Sequence, residues 1–179
     1  MVAMPERDVV KILDALDGAG VQFWVAGGWG IDALVGHQTR RHSDLDLILD
    51  RNRGDEEQTR RTLAELGVRF ENFDAVGDVR LPRIIQLHDR GGRVVELIPV
   101  DLESLPVADT RHRSLHPCDQ DTESDDRLTH LFAEGTIGSR AVACLAPEVQ
   151  LALHQGYDLP KSNHRDLALL CAHFGLALP

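Results

Sequence analysis

The seven residues DLDLILD, from Asp44 to Asp50, constrain this chain more than any other stretch. Successive side chains of a strand point to opposite faces, so Leu45, Leu47 and Leu49 share one face and Asp44, Asp46 and Ile48 the other. Three leucines in a row on one face belong in a core. The strand is then held from that side, and its first two carboxylates project from the other. Residues i and i+2 of a strand lie about 7 Å apart. Such a pair is either a solvated strand face or the start of a cation site, because close, poorly solvated like charges need a counter-charge. Two carboxylates so placed can share one Mg²⁺ or bridge two.

The segment ahead of this strand adds a second element. VQFWVA is short, apolar and β-branched and reads as a buried strand, ended by Gly27-Gly28. WGIDALVG then reads as a short helix closed by Gly36. Glycines let a phosphate approach the backbone, and a helix N-terminus points unpaired N–H groups at it. An isolated glycine pair is also what any turn needing positive φ employs.

Elsewhere, Val9, Ile12, Leu13 and Leu16 recur at helical spacing and predict a first helix over about 7–17. GDEEQTRRTLAELG is an amphipathic helix with acids in its first turn. RIIQLHD, RGG and RVVELIPV predict a β-hairpin, and HLFAEGTIGSRAVACLAP a second strand pair turning at Gly138-Ser139. Pro147 sits where a helix can begin, and HRDLALLCAHFG is a last helix. Between the strand pairs, about 101–126 is polar and acidic and reads as a surface excursion. The order predicts an α+β fold, a small mixed β-sheet flanked by helices with a mainly helical C-terminal part. The tail after the excursion is expected as a separate lobe, which divides the chain into 1–105 and 106–179.

Glu96 is a lone acid in an apolar strand, on the face opposite Val95 and Leu97, and has either a partner or an exposed edge. A second D-x-D, Asp119 and Asp121, lies in the acidic excursion and receives no role. His112, His116 and Cys118 offer zinc-ligand types, but Pro117 and the absence of helical periodicity argue against a zinc site. The net charge of −10 disfavours a nucleic-acid backbone and suits cationic small molecules or divalent metals. Three scattered cysteines, no signal-peptide pattern and no membrane-length apolar run lead to the expectation of a cytoplasmic protein with reduced thiols.

The glycine turn, the D-x-D on the next strand and one acid on a later strand together resemble the polymerase-β-type nucleotidyltransferase superfamily. The similarity is greatest to its small antibiotic nucleotidyltransferases, and among those to the lincosamide nucleotidyltransferases. It rests on WVAGGWGIDALVGHQTRRHSDLDLILD, VVELIPVDL and PEVQLALHQGYDLPKSNHRDL, which occur in the family's order. Position 28 is glycine where the wider superfamily often has serine; the antibiotic branch also has glycine there. The resemblance implies the nucleotidyltransferase fold, a triphosphate held at Gly27, Gly28 and Trp29, and Mg²⁺ on Asp44 and Asp46. It further implies transfer of AMP from ATP, or from another nucleoside triphosphate, to a hydroxyl of a cationic antibiotic. The alternatives are an aminoglycoside nucleotidyltransferase, or a toxin–antitoxin module acting on protein or RNA; a homodimer is compatible with any of them.

For the third carboxylate, Glu96 and Asp101 compete. Glu96 lies within the strand, where geometry is better fixed, and is expected as base and metal ligand; Asp101 lies beyond Pro99. In the tail, Tyr157, Lys161, His164 and Asp166 cluster at a loop-to-helix junction. Lys161 is expected to meet phosphate, since the glycine turn brings no cation. Asp166 reads as a first-turn acid behind an N-cap at Ser162 or Asn163.

Overall fold

The computed structural model describes residues 2–70, 84–102, 105, 130–154 and 161–178. The elements run α1 (Glu6–Gly18), β1 (Trp24–Ala26), α2 (Gly27–Val35), β2 (Asp44–Asp50), α3 (Asp55–Glu65), β3 (Val68–Phe70), β4 (Ile85–Asp89), β5 (Val94–Val100), β6 (Phe132–Ile137), β7 (Arg140–Leu145), α4 (Pro147–Leu153) and α5 (Lys161–Phe174). Among the described residues, seven strands form one sheet in the order β3-β4-β5-β2-β1-β7-β6. It is mixed: β2 pairs parallel with β5 and β1 parallel with β7, while the other neighbours are antiparallel. No helix among the described residues is long and apolar enough to cross a membrane.

The leucine face of β2 lies in the larger core. Leu45, Leu47 and Leu49 are buried there with Val25, Val95 and Leu97, beneath Val9, Leu13 and Leu16 of α1 and Leu63 of α3. Each such side chain contributes about 1.5–3 kcal/mol by leaving water. The opposite face carries a smaller core of Trp24, Ile48, Val100, Leu145 and Val149, with the Trp24 and Phe132 rings stacked 4.1 Å apart. Asp44 and Asp46 stand on this second face, before its apolar part begins at Ile48.

The hairpin β4–β5 turns through Gly92 at φ 79°. Asp89 holds this turn, its Oδ1 accepting the Gly91 N–H at 2.8 Å and the Arg93 N–H at 2.9 Å. β3 was not anticipated: three residues of VRF carry too little alternation to announce a strand, and pairing with β4 supplies it.

Residues 132–145 were expected in a C-terminal lobe, yet they extend the sheet. β7 pairs with β1 at Val25 and Cys144, so a boundary at 105 would part β1 from its neighbour. Gly135 of β6 lets this hairpin close onto α2, since a Cβ there would stand 2.6 Å from the Ala33 carbonyl. The helices α4 and α5 complete the C-terminal part, with Leu167 and Leu170 of α5 packed on Ile31 of α2. The acidic excursion, with Asp119, Asp121, His112, His116 and Cys118, lies outside the described residues, as does Tyr157.

Candidate active site

One row of residues crosses the sheet beside the glycine turn. Ala26, Asp46, Glu96 and Gln86 are register partners on β1, β2, β5 and β4 in turn. Neighbouring strands are about 4.8 Å apart, so Glu96 stands directly beside Asp46 on the same face. Its Oε1 accepts a hydrogen bond from Gln86 Nε2 at 2.7 Å. Asp101 follows Val100, the partner of Asp50, and its Oδ1 lies 3.5 Å from Asn52 Nδ2. The register therefore puts Glu96, and not Asp101, next to Asp46; five residues along the strand separate the two by roughly 16 Å.

Asp46 is half-buried by surface, yet protein atoms crowd its carboxyl enough that desolvation is the leading cause of a pKa held well above the usual carboxylate range. The negative charges of Glu96 and Asp44 add to the rise, as does a hydrogen bond with Glu96, while Arg40 opposes it. These three carboxylates call for either a proton or a cation. Among the described residues, no three Asp, Glu, His or Cys side chains close a cage around an ion. Mg²⁺ does not require one: it is commonly held by one or two carboxylates, with water and phosphate oxygens completing its octahedron. The hard-oxygen pair Asp44 and Asp46 fits that pattern.

Gly27 follows β1 at φ 58°, and a Cβ on it would overlap the Asp46 carboxylate. The turn thus lies directly on the acidic row. No side chain caps α2, so its first-turn N–H groups are not met by a capping oxygen. Trp29 contributes to the turn through its backbone only, since its side chain is 2% exposed in the main core.

The loop from 36 to 43 brings residues that sequence reasoning missed. Arg40 Nε and Nη2 grip the Asp166 carboxylate at 2.9 and 2.6 Å. That hydrogen bond, ahead of the charges of Asp166, Asp32 and Asp44, raises the guanidinium pKa further. His42 is 1% exposed, with Nε2 2.5 Å from Asp32 Oδ2; Thr39 Oγ1 donates to Asp32 Oδ1 at 2.5 Å. Trp29 packs against the imidazole, ring centroids 4.9 Å apart, and His42 Nδ1 has no hydrogen-bond partner among the described residues. A Cβ on Gly28 would overlap the His42 ring and stand 3.0 Å from Arg40 Nη2. Two signals announced this group. Asp32 is a lone acid in an apolar helix, and TRRH is a basic run directly ahead of the D-x-D.

The tail differs from its expected reading. α5 already begins at Lys161, so Ser162 and Asn163 lie inside the helix and Asp166 is past its first turn. Asp166 is 4% exposed and is held by Arg40 instead of acting as a first-turn acid. Lys161 is exposed at the start of α5.

A family model described as Aminoglycoside-2''-adenylyltransferase matches residues 8–170. A lincosamide resistance protein of Staphylococcus haemolyticus is 25% identical over 162 residues, covering 90% of this chain and 91% of that protein. A 2''-aminoglycoside nucleotidyltransferase of Escherichia coli is 51% identical over 37 residues, which is 21% of each chain. Among solved structures, the lincosamide antibiotic adenylyltransferase LnuA with lincomycin bound superposes with a TM-score of 0.68 at 24% identity, covering 94% of this chain and 98% of that one. ANT(2'')-Ia in complex with adenylyl-2''-tobramycin gives a TM-score of 0.60 at 24% identity, covering 95% and 89%. These two likenesses show the shared fold.

Proposed function

The chain belongs to the aminoglycoside-2''-adenylyltransferase family and is thereby a nucleotidyltransferase of the antibiotic-resistance type, and from that premise we propose that it transfers AMP from ATP to a hydroxyl of a lincosamide-like antibiotic. The observation that carries the catalytic part is the row of Asp46 and Glu96 in register beneath the Gly27-Gly28 turn. The backbone N–H groups of Gly27, Gly28 and Trp29 receive the triphosphate, as donors that cost no reorganisation. Asp44 and Asp46 would hold Mg²⁺, which supplies positive charge against the α-phosphate.

Glu96 serves as the general base. It takes the proton of the acceptor hydroxyl as that oxygen bonds to the α-phosphorus, and the bond from the α-phosphorus to the bridging oxygen breaks to release pyrophosphate. Gln86, donating to Oε1, orients the carboxylate. The protein contributes position and charge, with no covalent intermediate. Lys161 is assigned to the outer phosphates, as an exposed cation on a helix that also carries Asp166. The net charge of −10 supports a cationic acceptor.

Full-length similarity to a lincosamide resistance protein supports the lincosamide reading. A 2''-aminoglycoside acceptor is the second reading, favoured by the family model and by the local 51% identity to 2''-aminoglycoside nucleotidyltransferases. Incubation with labelled ATP and Mg²⁺ against lincomycin, tobramycin and tRNA separates these cases. Label appearing on lincomycin with release of pyrophosphate supports the first. Label on tobramycin alone moves the assignment to aminoglycosides, and label on tRNA or none on any acceptor ends the antibiotic reading.

A further inference from the structure

We propose that Asp166 is a positioning residue that aims the Arg40 guanidinium over the Gly27-Gly28 turn, so that docking of the C-terminal helix α5 is a condition for binding the nucleoside triphosphate. This rests on the reading of that turn as the phosphate cradle.

Arg40 and Asp166 are 126 residues apart in the chain, and the contact is side-on and bidentate: Nε lies 2.9 Å from Oδ1 and Nη2 2.6 Å from Oδ2. The planar fork fixes the plane of the guanidinium as well as its distance. A guanidinium has five N–H donors. Nε–H and one Nη2–H meet Asp166, and one Nη1–H meets the Arg41 carbonyl at 3.1 Å. Among the described residues this leaves one hydrogen on each terminal nitrogen. Nη2 is the nitrogen that stands over Gly28, 3.0 Å from where a Cβ would be. Its second hydrogen is placed for an oxyanion resting on the turn.

The surroundings explain why a charge is kept here. Asp166 is 4% exposed and next to Leu167, which with Leu170 packs on Ile31 of α2. A hydrophobic pair of similar volume would hold α5 to the loop before β2 at least as well as this part-buried ion pair, because the charges must first be desolvated. What the pair adds is direction. Without Asp166 the guanidinium sits among Asp32 and Asp44, both close enough to act on it, and has no partner that fixes its plane over the turn.

The test is equilibrium binding of a non-hydrolysable ATP analogue with Mg²⁺, together with steady-state kinetics on whichever acceptor the wild type uses. Asp166→Asn is expected to weaken nucleotide binding about tenfold, the loss of one charge-assisted hydrogen bond, with the acceptor KM within about twofold. Asp166→Glu, which keeps the fork at altered reach, recovers part of the loss. Arg40→Lys keeps the charge without the fork and falls as far as Asp166→Asn, and combining the two adds nothing further. A folded Asp166→Asn that binds the analogue as the wild type does overturns the inference. So do losses that multiply in the double variant, since Asp166 would then not act through Arg40. Should Asp166→Asn fail to fold, Arg40→Lys decides alone, and wild-type nucleotide affinity there overturns the inference. A wild type that binds no ATP removes the nucleotide reading itself, and this inference with it.

Discussion

Replacing Gly28 by serine restores the residue common in the wider superfamily, and by sequence alone it promises an added hydroxyl donor to phosphate. The structure predicts the opposite outcome. A Cβ at position 28 overlaps the His42 imidazole, with Cε1 at 2.6 Å, and stands 3.0 Å from Arg40 Nη2. Neither neighbour yields easily. The imidazole is 1% exposed, tied to Asp32 at 2.5 Å and backed by Trp29, while Arg40 is forked onto Asp166. Gly28 is not among the positive-φ glycines, so backbone strain is no part of the cost. Overpacking of this kind costs about 1–3 kcal/mol. For a chain of this size that lowers Tm by roughly 2–4 °C per kcal/mol, or about 6 °C at the middle of both ranges. Displacing Arg40 and His42 also disturbs the turn, where a misplacement of about 1 Å costs on the order of a hundredfold in rate. The assays are thermal unfolding and ATP titration of Gly28→Ser, with His42→Ala as the relieving second change. A Gly28→Ser protein with wild-type Tm and equal or tighter ATP binding would refute the claim that glycine makes room for these two side chains.

Asp46→Asn removes one of three crowded carboxylates, so it should leave Tm unchanged or higher while turnover falls by about a thousandfold or more; near-normal turnover would end the metal-ligand assignment. Glu96→Gln should slow transfer by about 10²–10⁴-fold with ATP affinity retained, whereas Asp101→Asn should leave the rate within about twofold; the reverse ranking would exchange their roles. Asp89 supplies a pH-dependent contribution to stability. Burial alone would raise its pKa, but hydrogen bonds from Arg93 and from the Gly91 N–H outweigh it and lower the value. A carboxylate lowered in the folded state contributes fully above its unfolded pKa of about 3.9, and the contribution fades as pH falls through the folded value. The Tm gap between wild type and Asp89→Asn should therefore be wide at pH 7 and close below the ordinary carboxylate range. A gap independent of pH would show that the turn does not depend on the charge.

Local periodicity determined much of this protein without help from tertiary structure. The leucine alternation of 44–50 is a property of adjacent residues, so the strand and the common face of Asp44 and Asp46 were legible in it. The same holds for α1, whose apolar spacing set Val9, Ile12, Leu13 and Leu16 into the core, and for the end of α2 at Gly36, although that helix begins at Gly27, two residues ahead of the expected WGIDALVG. The intra-strand position of Glu96 could be read too, but its standing opposite Asp46 could not. That depends on the parallel register of β5 with β2, which is decided when two apolar faces pack into one core. The second strand pair was legible as a hairpin, whereas its attachment to β1 was not, because a parallel edge contact leaves no mark on either segment alone. Asp166 shows the limit most plainly. A local reading sees an acid near a helix start and infers a cap. Folding brings it to Arg40, 126 residues away in the chain, and buries it there. Asp32 and His42 likewise acquire their pairing only when the loop before β2 folds back onto α2. Burial and long-range partners depend on which surfaces meet, and no window of neighbouring residues records that.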